Sequence, residues 1–160
     1  MRLDIFRSLW GYRGSWQQAL DEAFSAGFDG LEARIPETAA QRSANARILR
    51  DNDAPYIATL FTSTPVLPRQ SDSPQVHLED LRMKLDWAAE LGPRLVNVLP
   101  GNDRWALGEQ VDFFARAVEL ADASDLHVCF EIHRGRSLYS PWVTLEVIRQ
   151  VPELRFTSDI

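Results

Sequence analysis

Short apolar runs and longer amphipathic ones alternate along the whole chain, and no hairpin signal joins any two of the short runs. Strands that follow one another without tight turns must be connected by crossovers, so this alternation calls for a parallel sheet with right-handed βα connections. The short runs read as strands over 2–6 (RLDIF), 28–35 (FDGLEARI), 55–63 (PYIATLFTS), 94–101 (RLVNVLPG), 126–133 (LHVCFEIH) and 154–159 (LRFTSD). Between them, helices are expected over 15–27, 37–53, 76–91, 109–124 and 142–151. Ser15 is placed to cap the first of these and Gly27 to stop it, while Gly92-Pro93 ends the third. The expected inward stripes are Trp16, Leu20, Ala23 and Phe24 on the first helix and Ala40, Ala44, Ile48 and Leu49 on the second. On the fourth helix they are Val111, Phe114, Val118 and Leu120 or Ala121. The segment 64–75, with three prolines and two serines, reads as a loop.

Six βα-type repeats of roughly 25–30 residues fit either a doubly wound open sheet or a TIM-type barrel. A dinucleotide fold would need a Gly-rich phosphate turn after the first strand, and WGYRGSW (10–16) has neither the spacing nor the acidic ribose partner. The barrel explains more, because polar residues gather where strands end: Glu32 with Arg34, Thr59 with Thr62, Asn97, Glu131 with His133, and Asp159. Active sites of βα barrels lie at that face. The fold expected is therefore α/β, a parallel (β/α) barrel with about six of eight units, formed as one domain over 1–160.

Charge and composition narrow the function. A net charge of −6 and a pI near 5.0 argue against a broad phosphate-backbone footprint. No apolar run approaches the ~18–20 residues needed to cross a bilayer, and Asp4 and Arg7 interrupt any leader-like start. A lone cysteine, Cys129, sits among apolar neighbours without a base, so it reads as core, and a reducing cytoplasmic location is expected. No nucleic-acid or membrane partner is expected.

The stretches GFDGLEARIP, LVNVLPG, FEIHRGRSLYSPWVTLEVI and VPELRFTSDI resemble the xylose isomerase-like TIM barrels, a superfamily of sugar phosphate isomerases and epimerases, keto-inositol dehydratase-like proteins and endonuclease IV-type enzymes. The resemblance implies that Glu131 and Asp159 supply two of four ligands to a divalent metal, Mn²⁺, Mg²⁺ or Zn²⁺, with a His and a Glu from two later strands completing the shell. A family barrel needs on the order of 250 residues, so by resemblance the chain lacks strands seven and eight. With two donors only, metal binding in this chain is expected to be weak or absent and the chain itself catalytically silent.

Under this resemblance the function implied is isomerisation or epimerisation of a sugar, sugar phosphate or polyol. Glu131 and a second glutamate would shuttle a proton beside a metal-polarised carbonyl. The alternatives are a noncatalytic barrel that associates with itself or a partner through an open strand edge, and an endonuclease IV-like repair enzyme. Residue by residue, both functional and structural roles stand open. Glu131 reads as a metal ligand or as a loop carboxylate pairing Arg134 or Arg136. His133 shares its strand face and reads as a substrate contact or a loop imidazole. Arg134 and Arg136 flank a glycine and could grip an anionic group, or be solvated. Glu32 reads as a substrate group or as an ion pair with Arg34 or Arg7. Trp10, Trp105 and Trp142 read as apolar walls of a sugar site or as core. His77 and His127 are placed away from the mouth.

Overall fold

A computed structural model describes residues 3–63 and 66–158. Six strands, β1 (Phe6–Ser8), β2 (Gly30–Arg34), β3 (Tyr56–Phe61), β4 (Leu95–Leu99), β5 (Val128–Glu131) and β6 (Phe156–Thr157), form one sheet in chain order. Every adjacent pair is parallel. The five crossovers carry α1 (Trp16–Ser25), α2 (Ala39–Asp51), α3 (Pro74–Ala89), α4 (Leu107–Ala123) and α5 (Pro141–Gln150). Strand order equal to chain order is the winding of a βα barrel, not of a doubly wound sheet, whose order reverses at a switch point. The fold is thus an incomplete α/β barrel.

Local chemistry explains the element boundaries. The Ser15 hydroxyl accepts from Gln18 N–H while the Gln18 side chain accepts from Ser15 N–H, a reciprocal cap that starts α1. Helix α3 starts at Pro74, two residues earlier than the apolar pattern suggests, because Ser73 caps it and proline suits the first turn. The first strand is displaced toward 6–8 from the expected 2–6, whose first residue lies outside the described ones. Asp29 is the reason: its carboxylate accepts from Ile5 N–H and its own N–H donates to the Ile5 carbonyl, which places Phe6 opposite Gly30.

The register divides the sheet into two faces. Ser8 lies opposite Glu32, Glu32 opposite Ile57, Thr59 opposite Asn97, Asn97 opposite Cys129 and Glu131 opposite Thr157. Side chains alternate with a period of two, so all of these point to the barrel interior. The opposite face carries Tyr56, Ala58, Leu60, Val96, Val98, Val128 and Phe130. They pack against Leu81, Leu85, Phe113, Phe114, Ala117 and Val147 of the helices, and this layer is the main core. Helix α2 turns a different stripe inward from the one expected: Arg42, Ala46 and Leu49 are buried, whereas Ala40 and Ala44 are exposed. Arg42 fits there because its guanidinium donates to the carbonyls of Pro36 and Glu37, pairs with Glu90 and stacks on Trp87. Phe24, expected inward on α1, is 41% exposed. On α4 the buried ring pair is Phe113 with Phe114, 5.0 Å apart and edge-on. Strand 56–61 is buried apart from Ile57, but on the fifth strand burial covers only Val128, Cys129 and Phe130, and Ile132 is 45% exposed.

Candidate active site

The inward residues of the strand ends open onto two adjoining hollows at the C-terminal side of the sheet. One, about 420 Å³, is lined by Glu131, His133, Asn97, Thr157, Phe61 and Trp10, among others. The second, about 560 Å³, lies toward β1 and is lined by Tyr12, Trp16, Arg34 and the loop 8–14. Ser8, Trp10, Glu32, Thr59 and Val66 belong to both. Expected site residues Glu131, His133, Glu32 and Trp10 are therefore brought together, because parallel register carries alternate positions of neighbouring strands to one rim.

Within the first hollow, the Asn97 amide Nδ2–H donates to Glu131 Oε2. Asn97 Oδ1 and the Thr157 hydroxyl oxygen are buried without a protein hydrogen bond among the described residues. Buried polar atoms are rarely left so, and these two flank the Glu131 carboxylate across the register. Glu32 makes neither of the ion pairs considered for it: its Oε1 accepts from the Thr59 hydroxyl at 3.0 Å, and Arg7 pairs with Glu22 instead. The His133 Nδ1 lies 2.8 Å from the Arg134 carbonyl. Two acceptors do not share that distance, so Nδ1 carries the proton and a neutral ring keeps Nε2 as an acceptor. Trp10 is 64% exposed and leans on Phe61, centroids 6.2 Å apart.

The arginines part company. Arg134 is exposed and lines neither hollow. Arg136 is fully buried, so it offers no fork to a ligand. Its guanidinium donates to the carbonyls of Thr62 at 2.7 Å, Val66 at 3.0 Å and Gly101 at 3.5 Å, and stacks on Phe61. It thereby ties the loop after β5 to the loops after β3 and β4. Burial lowers its pKa to about 10, partly offset by Asp80, which still leaves it charged at neutral pH. Asp159, expected as a metal ligand, lies outside the described residues. Trp105 is core, its indole N–H donating to the Asp72 carbonyl, and Trp142 is 80% exposed, away from both hollows.

His77, expected away from the mouth, lines neither hollow. It is wholly buried behind the mouth, where its Nδ1 meets the Thr62 hydroxyl at 2.8 Å. That hydroxyl also accepts from Gly101 N–H and reaches the Leu99 carbonyl at 3.5 Å. The ring stands edge-on to Trp105 at 4.8 Å, and burial lowers its pKa to about 4. Ser8, Phe61 and Val66 were not singled out. Thr62 at the same strand end was the one signal that a partner should be sought nearby.

The donor set suits a hard divalent ion as far as it goes, with a carboxylate oxygen held by an amide and buried oxygen acceptors beside it. Among the described residues no group of three or more His, Cys, Asp or Glu converges, so they do not by themselves complete a metal shell. No helix of the described residues is long and apolar enough to cross a membrane.

A βα barrel whose rim carries carboxylates, an imidazole and an exposed indole defines the class. The family model described as xylose isomerase-like TIM barrel matches residues 20–160. The chain belongs to that family. Among solved structures it is similar to an L-ribulose 3-epimerase, with 18% identity and a TM-score of 0.72, covering 94% of this chain and 58% of that one. It is similar also to the apo form of the 3-keto-D-glucoside 4-epimerase YcjR from E. coli, at 14% identity and 0.70, covering 93% and 64%. A third is the IolI protein with a bound zinc atom, at 11% and 0.69, covering 94% and 59%. The chain thus spans about three fifths of the length of these proteins. No protein of curated function matches it by sequence.

Proposed function

We propose that the chain belongs to a divalent-metal-dependent isomerase or epimerase of a sugar, sugar phosphate or polyol. The observation that carries this reading is the convergence of Glu131, Asn97, His133 and Glu32 on one hollow at the C-terminal rim. Proton transfer at a carbon beside a carbonyl needs a base within hydrogen-bond reach of that carbon, and Glu131, half-buried at the end of β5, is the carboxylate assigned that role. Asn97 donates to its Oε2 and so fixes the direction in which the carboxylate faces. The acceptor Nε2 of His133 and the Glu32 carboxylate, steadied by Thr59, take hydrogen bonds from substrate hydroxyls. Trp10 supplies an apolar wall for the carbon face of the sugar. Glu131, with Asp159 beyond the described residues, would hold the ion, whose chemistry is to polarise adjacent carbonyl and hydroxyl oxygens. The named activities of the epimerases above support the reading.

The test measures metal content and turnover of ketoses and their phosphates with Mn²⁺ or Mg²⁺, on this chain and on a version extended by the remaining length of the related barrels. Glu131→Gln in the active version is expected to lower kcat by at least about a hundredfold, the usual worth of a positioned acid–base group. Unchanged turnover by that variant would sink the assignment.

A further inference from the structure

Resting on the sugar-isomerase reading, we propose that the hollow beside β1 and β2 is a subsite for an anionic group of the substrate, a phosphate or carboxylate, held by Arg34. Arg34 is exposed at the end of β2, two residues beyond Glu32 and on the same inward face. Glu32 and Arg34 do not pair: Glu32 accepts from Thr59, while the Arg34 guanidinium lies over the Phe61 ring, 5.2 Å from its centroid. Among the described residues no carboxylate or carbonyl takes up the Arg34 N–H groups.

Phe61 is held in turn. It is 4% exposed, carries Arg136 stacked at 5.3 Å and leans on Trp10. The Arg34 guanidinium is therefore held over a rigid ring before any ligand arrives, and among the described residues no acceptor takes up its donors. A stacked guanidinium with free edges matches the paired oxygens of phosphate or carboxylate, which a point charge such as lysine does not. Arg34 stands at one end of the joined hollows and Glu131 at the other, with Glu32, Thr59 and Trp10 shared between them. Three strand spacings, about 14 Å along the curved sheet, separate β2 from β5. A substrate with its reacting carbon at Glu131 and an anionic end at Arg34 would lie along the indole between them. Glu131 lines the first hollow and not the second, which is why the second is assigned to the substrate's far end.

Direct binding tests this without turnover, by calorimetric or NMR titration of the present chain. The probes are a neutral ketose, the same ketose as its terminal phosphate, and a sugar acid of equal length. Wild type should bind at least one anionic probe about tenfold or more tightly than the neutral one, the scale of a charge-assisted hydrogen-bond pair. The phosphate and acid arms show which anion is preferred. Arg34→Gln should remove that preference and leave neutral-ketose binding unchanged, and Arg34→Lys should restore only part of it. Equal affinity for all three probes, no measurable anion binding at millimolar concentration, or a preference that survives Arg34→Gln overturns the proposal. Metal-dependent turnover of neutral ketoses without that preference would leave the isomerase reading intact.

Discussion

Arg136 and His77 are two buried side chains that line neither hollow yet shape the mouth. A guanidinium surrounded by the Thr62, Val66 and Gly101 carbonyls satisfies groups that would otherwise be orphaned in the loops. Arg136→Met should therefore cost about 2–4 kcal/mol, read by denaturant unfolding. It should also loosen Val66, which lines both hollows, and so raise KM more than it lowers kcat in an active version. His77 makes a pH prediction. Its folded pKa, about 4, is below the unfolded value of 6.5, because burial penalises the imidazolium. The residues facing it are Thr62, Trp105 and Phe113, with Asp72, Lys84 and Arg136 as the nearest charges. Between pH 6.5 and 4 the unfolded chain binds the extra proton, so stability falls as pH drops through that window, by up to a few kcal/mol. His77→Gln should flatten this part of a melting-temperature profile, and an equally steep profile would show that His77 is not the group responsible.

At the scale of elements, the turns after β3, β4 and β5 decide the shape of the rim. The chain reverses after β4 at Gly101, where φ is +64°. A Cβ there would come within 2.3 Å of the Ser137 hydroxyl, which itself bridges to Asn102 N–H and carbonyl. Gly101→Ala must both strain the backbone and displace Ser137, so it should destabilise by more than the ~1 kcal/mol of an ordinary glycine replacement. A variant with wild-type stability would contradict the close packing of these two loops. Helix caps were legible in the residues: Ser15 and Gln18 declare the start of α1 by side-chain type and spacing alone. The inward stripe of α2 was not, because a sequence pattern ranks Arg42 as polar and cannot anticipate that Pro36, Glu37, Glu90 and Trp87 would surround it.

At the scale of the molecule, the helix-facing side of the sheet is filled while the interior side is partly open. Ile57 and Leu95 are only half-buried there, and β1 and β6 each pair on one side within the described sheet. Unpaired parallel edges invite further pairing, so self-association is expected at micromolar concentration, measured by light scattering on a sizing column; a clean monomer would count against it. The βα alternation, the barrel and the Glu131–His133 pair were readable from residue order, because each depends on short-range periodicity and on which side a strand residue faces. Arg136 shows where that ends. Its immediate sequence neighbours, a glycine and a serine, suit an exposed ligand loop equally well. Only the arrival of Thr62, Val66 and Gly101 from distant parts of the chain buries it. By the same cause Arg34, in sequence one polar residue of a strand end beside Glu32, becomes a cation held over an aromatic ring: Phe61 comes beside it across one strand spacing, and that proximity is a property of register, not of sequence.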